Sequence, residues 1–156
     1  MRTIHKGKPP ESTQRLLPLL YVEDNDENWN IVKLRLSRAY ALTRAGSDRE
    51  ACQALSETDR FYAVLMDIEL GGSRLNGIQL TRVLRGKLPS ADLPDYARAV
   101  PKSDVPVLFV TAYGGAYKQQ ELFDAGADHV LVKPVDFTKL SLALANLHLN
   151  RITSRR

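Results

Sequence analysis

One cysteine in 156 residues, Cys52, leaves no disulfide within the chain, and its place in a helical stretch suits a small buried side chain rather than a reactive thiol. That scarcity points to a reducing compartment. No apolar run approaches the roughly 18 to 20 residues of a membrane-spanning helix, and the N-terminus carries no apolar signal core. A cytoplasmic location without a membrane partner is therefore expected. A broad basic stripe is missing too, although the net charge is +4. Residues 1–15 carry +3 and residues 151–156 another +3, so the body is mildly acidic at −2. Two short polar, basic ends are expected to be solvated disordered tails, which argues against a nucleic-acid partner.

What remains has the length of one domain and, at 44% hydrophobic residues, enough apolar content for a core. The domain is expected over residues 16–150. Four short aliphatic runs stand out within it, each ending in polar residues. Leu19 to Val22 precedes Glu23-Asp24, Ala63 to Met66 precedes Asp67, Val107 to Val110 precedes Thr111, and Val130 to Val132 precedes Lys133-Pro134. Such runs read as strands buried on both faces of a parallel sheet. A fifth strand is expected at Tyr40 to Ala45, and the strands around the second and third runs are expected over Phe61 to Met66 and Val105 to Val110.

Helical patterns alternate with these strands. They cover Asp26 to Leu36 (with Trp29, Ile31, Val32, Leu34 and Leu36 as its apolar residues), Ser47 to Glu57, Gly77 to Leu84, Ala116 to Ala125, and a last helix capped by Asp136 and carrying Leu140, Leu142, Leu144, Leu147 and Leu149. Gly126 suits a left-handed helix end. Five βα units in succession predict an α/β fold, a doubly wound five-stranded parallel sheet of flavodoxin-like (βα)5 type. Two segments depart from this rhythm. Gly71 to Gly77 is a glycine-bounded loop on the edge where such sheets bind ligands. Residues 86–104, with Pro89, Pro94 and Pro101, form an inserted connector expected on the opposite edge, either as a surface insertion or as a partner-specific contact.

The chemistry follows from where the strands end. Glu23, Asp24 and Asp67 offer hard carboxylate oxygens of the kind magnesium prefers. Asp67 can serve both as metal ligand and as nucleophile toward a phosphoryl group, giving an acyl phosphate. Lys133 and Thr111 supply the cation and hydroxyl that charge on a transferring phosphoryl group requires. Any one of these residues alone would signify little; the ordered set at successive strand ends is what points to magnesium-assisted phosphoryl transfer.

That set resembles the receiver domain of two-component response regulators. The matching stretches are Tyr21-Val22-Glu23-Asp24-Asn25, Val64-Leu65-Met66-Asp67-Ile68, Asn76-Gly77, Val110-Thr111-Ala112, Ala125-Gly126-Ala127-Asp128 and Val132-Lys133-Pro134-Val135. The start, Val-Glu-Asp-Asn, is similar to receivers of hybrid kinases; the overall form is that of single-domain, chemotaxis-type regulators. The resemblance implies that Asp67 is the phosphoacceptor, served by a histidine kinase or a histidine phosphotransfer protein. It implies a Mg2+ cofactor on Asp24, Asp67 and the Glu69 backbone carbonyl, with Glu23 partly through water. It further implies that Thr111 and Lys133 hold the phosphoryl group, that the bond before Pro134 is cis, and that Glu69 and Tyr113 tune phosphoryl lifetime. Output is expected through the fourth helix, fifth strand and last helix to a downstream protein of unknown identity, with a homodimer through the same face left open. Because the chain stops six residues after Asn150, no output domain is expected, and no catalysis beyond its own phosphorylation and dephosphorylation.

Two departures from the family pattern stand out. Leu70-Gly71 occupy the places where Met-Pro is common, in a loop about two residues longer, and Val130 stands at the switch position where many members carry Tyr or Phe. Two rival readings share parts of this pattern. A haloacid-dehalogenase-type phosphatase wants an acidic Asp two residues after its nucleophile, where Glu69 stands, and its metal carboxylates late in the chain. A non-phosphorylated pseudo-receiver adaptor predicts loss of a site residue, and all five are present.

Overall fold

The computed structural model describes residues 15–112 and 117–147. The basic stretches at residues 1–14 and 148–156, as well as Tyr113, lie outside the described residues. The order of elements is β1 (Leu17–Val22), α1 (Asp26–Leu36), β2 (Tyr40–Ala45), α2 (Asp48–Glu57), β3 (Ala63–Met66), α3 (Gly77–Leu84), α4 (Asp95–Arg98), β4 (Val107–Thr111), α5 (Gln119–Ala125), β5 (His129–Val132) and α6 (Phe137–Ala145). The strands form one sheet in the order β2-β1-β3-β4-β5, every pair parallel. Chain order reverses direction between β1 and β3, and there the crevice for a ligand opens at the strands' carboxyl ends.

The sheet is coated on both faces because its central strands are apolar on both. Leu20, Val22, Val64, Met66, Val107 and Phe109 face one cluster, closed by residues of α2, α3, α4 and α5. Leu19, Tyr21, Ala63, Leu65, Leu108 and Val110 face the other, closed by Val32 and Leu36 of α1 and Leu140, Ala143 and Leu144 of α6. A fully buried Leu or Val contributes about 1.5–3 kcal/mol, against about 1 kcal/mol for a helix cap. Burial therefore holds the sheet together, and the caps fix where helices begin. Asn25, Ser47, Asn76 and Asp136 each accept a hydrogen bond from a backbone N–H in the first turn of the helix that follows. Gly126 closes α5 with φ 118°, a left-handed conformation that suits glycine.

The structure corrects the sequence reading in several places. Ile31 and Leu34 of α1 are exposed, the latter at 79%, as is Leu142 of α6, so only part of each apolar series faces the core. β3 and β4 begin at Ala63 and Val107, two residues later than the hydrophobic pattern predicts, and β4 extends to Thr111. α5 begins at Gln119, and Cys52 is buried as expected.

The largest correction concerns residues 86–104. Far from staying on the edge opposite Asp67, the segment has its feet there and its middle on the ligand-binding edge. Ser103 N–H donates to the Leu84 carbonyl at 2.8 Å at its foot. A 3-10 turn at Ser90–Asp92 and α4 then carry Leu93, Ala97 and Val100 into the core, and the Tyr96 hydroxyl donates to the Asp48 carboxylate at the start of α2. The prolines that break the long pattern also set its turns: Pro94 sits at the N-cap position of α4, whose first turn is pre-shaped by the extended residue before it.

Candidate phosphoryl-transfer site

β1, β3, β4 and β5 deliver the polar residues to one edge because their apolar runs stop in register. Val22 pairs with Met66, Met66 with Phe109, and Thr111 with Val132. Past those positions the chain leaves the sheet, which lets the adjacent Glu23 and Asp24 aim at one centre instead of alternating sides. Carboxylate oxygens of Glu23, Asp24 and Asp67 all lie within 4.8 Å of one another. Glu23 is fully buried, Asp67 is 6% exposed and Asp24 is exposed, so one acid opens the group to solvent. Three hard oxygens in this compass, one of them solvent-facing, fit a magnesium ion that keeps several of its waters.

Lys133 reaches the same point from β5. Its ammonium Nζ lies 3.1 Å from Glu23 Oε2 and 3.3 Å from Asp67 Oδ2. The Lys133 N–H donates to the Thr111 carbonyl at 2.7 Å, tying the two phosphoryl-binding candidates together, and Thr111 is buried. The Lys133-Pro134 bond is cis, as the resemblance implied. Burial pushes the Asp67 carboxyl up to about 7; the neighbouring Glu23 carboxylate adds to this, and Lys133 opposes it. The site thus holds more negative charge than one lysine balances. The buried Tyr21 hydroxyl lies beside it, and desolvation together with the Glu23 and Asp67 charges keeps it from ionising.

Glycine recurs around Asp67 for a steric reason. A Cβ on Gly77 would stand 2.1 Å from the Asp67 carbonyl oxygen, and the Gly77 N–H donates to the Ile68 carbonyl at 2.9 Å. Helix α3 therefore starts against the backbone of the central acid, and only glycine permits the approach. Gly77→Ala is expected to destabilise the fold by about 3 kcal/mol or more, read as a drop in the urea midpoint with an unchanged slope.

Several residues of the site escaped the sequence reading. The Asn28 amide donates to Glu23 Oε1 at 2.7 Å, and Arg44 donates to the Glu23 carbonyl while pairing with Asp26 at 2.7 Å. The Tyr117 hydroxyl donates to Glu69 Oε1 at 2.5 Å, which gives the exposed Glu69 carboxylate a partner on the far side of the cleft. Asn28 was legible in principle, one turn into a helix whose N-cap abuts the acidic pair. Val130, at the switch position, is half-buried and packs against the core cluster that includes Leu122 and Ala125.

A doubly wound sheet with an acidic triad, a lysine, a threonine and a cis proline at its carboxyl edge has the arrangement that the resemblance implied. The family model for the response regulator receiver domain matches residues 19–145, and the chain belongs to that family. It is 29% identical over 134 residues to the protein PetR of Rhodobacter capsulatus, covering 86% of this chain and 49% of PetR. With the sensor protein GacS of Pseudomonas syringae it shares 25% identity over 140 residues, 90% of this chain and 14% of the relative. The chain thus spans about half or less of these curated relatives. Among solved structures, the receiver domain of a sensor histidine kinase from Pseudomonas aeruginosa PAO1, with a magnesium ion coordinated in its active-site cleft, superimposes with a TM-score of 0.66 at 25% identity, covering 85% of this chain and 97% of that one. A putative response regulator from Chloroflexus aurantiacus gives 0.67 at 28% identity, covering 85% and 98%. Among the described residues no helix is long and apolar enough to cross a membrane.

Proposed function

We propose that this receiver domain takes a phosphoryl group from a phosphohistidine, on a histidine kinase or a histidine phosphotransfer protein, onto Asp67. The single observation that carries the reading is the meeting of Glu23, Asp24, Asp67 and Lys133 at one point, from strand ends spread along more than a hundred residues. Magnesium would be held by Asp24, Asp67 and the Glu69 carbonyl, with Glu23 partly through water, and when bound it supplies positive charge to offset that developing on the phosphoryl oxygens. Asp67 forms the new O–P bond as the donor's N–P bond breaks, and the departing imidazole nitrogen keeps the bond's electron pair and takes up a proton from solvent. Lys133 and Thr111 bind the phosphoryl oxygens. Lys133, already between the Glu23 and Asp67 carboxylates, stands where its ammonium can meet the arriving anion. Beyond its own phosphorylation and dephosphorylation no catalysis is assigned to the chain.

Output to a downstream protein is assigned to the face of α5, β5 and α6, where Phe123, Val132 and Leu142 are 43%, 52% and 58% exposed. Intact-mass measurement after incubation with acetyl phosphate tests the reading. One phosphate adduct is expected with magnesium and none with chelator or in Asp67→Asn. An adduct retained in that variant would move the phosphoacceptor elsewhere, and no adduct from acetyl phosphate or a phosphohistidine donor would favour an unphosphorylated adaptor.

A further inference from the structure

The loop between the phosphoacceptor and α3 is held at both ends by carboxylates from other elements. At its near end the Gly71 N–H donates to Asp24 Oδ2 at 2.9 Å. A Cβ on Gly71 would come within 2.9 Å of that same oxygen, so the backbone lies flat against the acid. A proline there, as is common in the family, would have no N–H to donate. At its far end the loop meets Asp48, a carboxylate with only 4% exposure at the start of α2. Asp48 Oδ2 accepts from Leu75 N–H at 3.0 Å, and the Asp48 N–H donates to Ser73 Oγ at 3.0 Å.

Asp48 is held in turn by the inserted segment. The Tyr96 hydroxyl of α4 donates to the same Oδ2 that receives Leu75, and Arg49 covers the Tyr96 ring with its guanidinium carbon 4.6 Å from the centroid. Behind Tyr96 the insertion is anchored by Leu93, Ala97 and Val100 in the core. A continuous set of contacts thus runs from the insertion through Tyr96, Asp48, Leu75 and Ser73 to the loop, and through Gly71 to Asp24. In metal sites, groups that fix the orientation of a ligand matter to affinity nearly as much as the ligand itself.

We infer that Asp48 and Tyr96 are positioning residues for the phosphoryl site, the insertion at 86–104 acting through them to fix the loop that orients Asp24. The inference rests on the reading of Asp24 as a magnesium ligand given above. Tyr96 touches neither metal nor phosphate in this account; its hydroxyl acts only through Asp48. It binds the length of the loop and the presence of the insertion into one arrangement: the loop, about two residues longer than is usual in the family, needs a brace, and α4 provides it.

The test is calorimetric magnesium titration of the unphosphorylated full chain, with amide hydrogen exchange over residues 70–76, on wild type, Tyr96→Phe and Asp48→Asn. Tyr96→Phe keeps the ring and its contact with Arg49 and removes the hydroxyl alone. Magnesium affinity is expected to fall about 3- to 10-fold in Tyr96→Phe, the equivalent of one hydrogen bond, with faster exchange at Gly71 and Leu75 and little change elsewhere. Asp48→Asn is expected to change both in the same direction and further. Wild-type affinity in Tyr96→Phe would overturn the inference, and so would faster exchange spread evenly over the domain, which marks a brace for the fold alone. A wild-type chain that binds no magnesium would instead defeat the reading of the acidic triad, and loop exchange would then decide the tether without it.

Discussion

Asp67→Asn is expected to be more stable than wild type at neutral pH in the absence of magnesium, by about 2 kcal/mol, while losing all acyl-phosphate formation. Two carboxylates, Glu23 and Asp67, are buried together and share one ammonium. The asparagine keeps the shape and removes one of the two negative charges. The pH dependence has a definite sign. An ordinary aspartate ionises near 4, whereas burial and Glu23 push Asp67 up to about 7 in the folded protein. Between those values the folded state holds a proton that the unfolded state has lost, so this group's contribution favours folding below about 4 and is lost as pH rises through about 7. The asparagine variant lacks that term. Its advantage should be small near pH 4, grow between 4 and 7, and level off above. Magnesium is expected to reverse the ranking: at 100 times its dissociation constant a bound ligand adds about 2.7 kcal/mol to the chain that binds it, and the variant lacks one of the proposed ligands. Urea titrations at several pH values with and without the metal give all four numbers. A pH-independent difference would show that the Asp67 charge is not under strain.

Lys133→Met is expected to cost about 3–5 kcal/mol of stability, because it strands the fully buried Glu23 beside Asp67 without a cation. The methionine fills the same volume, so the loss is of charge balance and not of packing. Combining it with Glu23→Gln should recover more than half of the cost. The cycle of single and double variants isolates the pair, and additivity would mean that Lys133 serves Asp67 alone. Acetyl-phosphate labelling should fall steeply in Lys133→Met even where magnesium restores its stability, since the cation proposed to meet the phosphoryl oxygens is gone.

The sheet and its site were legible because burial on both faces writes continuous aliphatic runs, and because chain departure from a strand end places the next polar residue on the ligand edge. Leu19 to Val22 followed by Glu23-Asp24 carries both facts in six letters. What periodicity alone misreads is the exposed side of a helix: Ile31 and Leu34 match an apolar pattern but face away from the sheet, since α1 is covered only on the side of Val32 and Leu36. The apolar pattern starts the third and fourth strands too early, at Phe61 and Val105, for a related reason: both residues are partly buried against the core ahead of the first ladder pairs at Ala63 and Val107. Long-range polar contacts left no local trace at all. Asp48 and Tyr96 are 48 positions apart, and nothing at either position distinguishes a buried partnership from an ordinary helix-start acid and a surface tyrosine.

The residues between Gly86 and Asp104 are those an alignment-minded engineer would remove first to obtain a minimal domain. In this chain they cannot be treated as freight. Cutting them would uncover Leu93, Ala97 and Val100's neighbours in the core and leave the Asp48 carboxylate short of a donor in the same stroke. Removing the segment would therefore have to be matched by changes in helix, loop and core together.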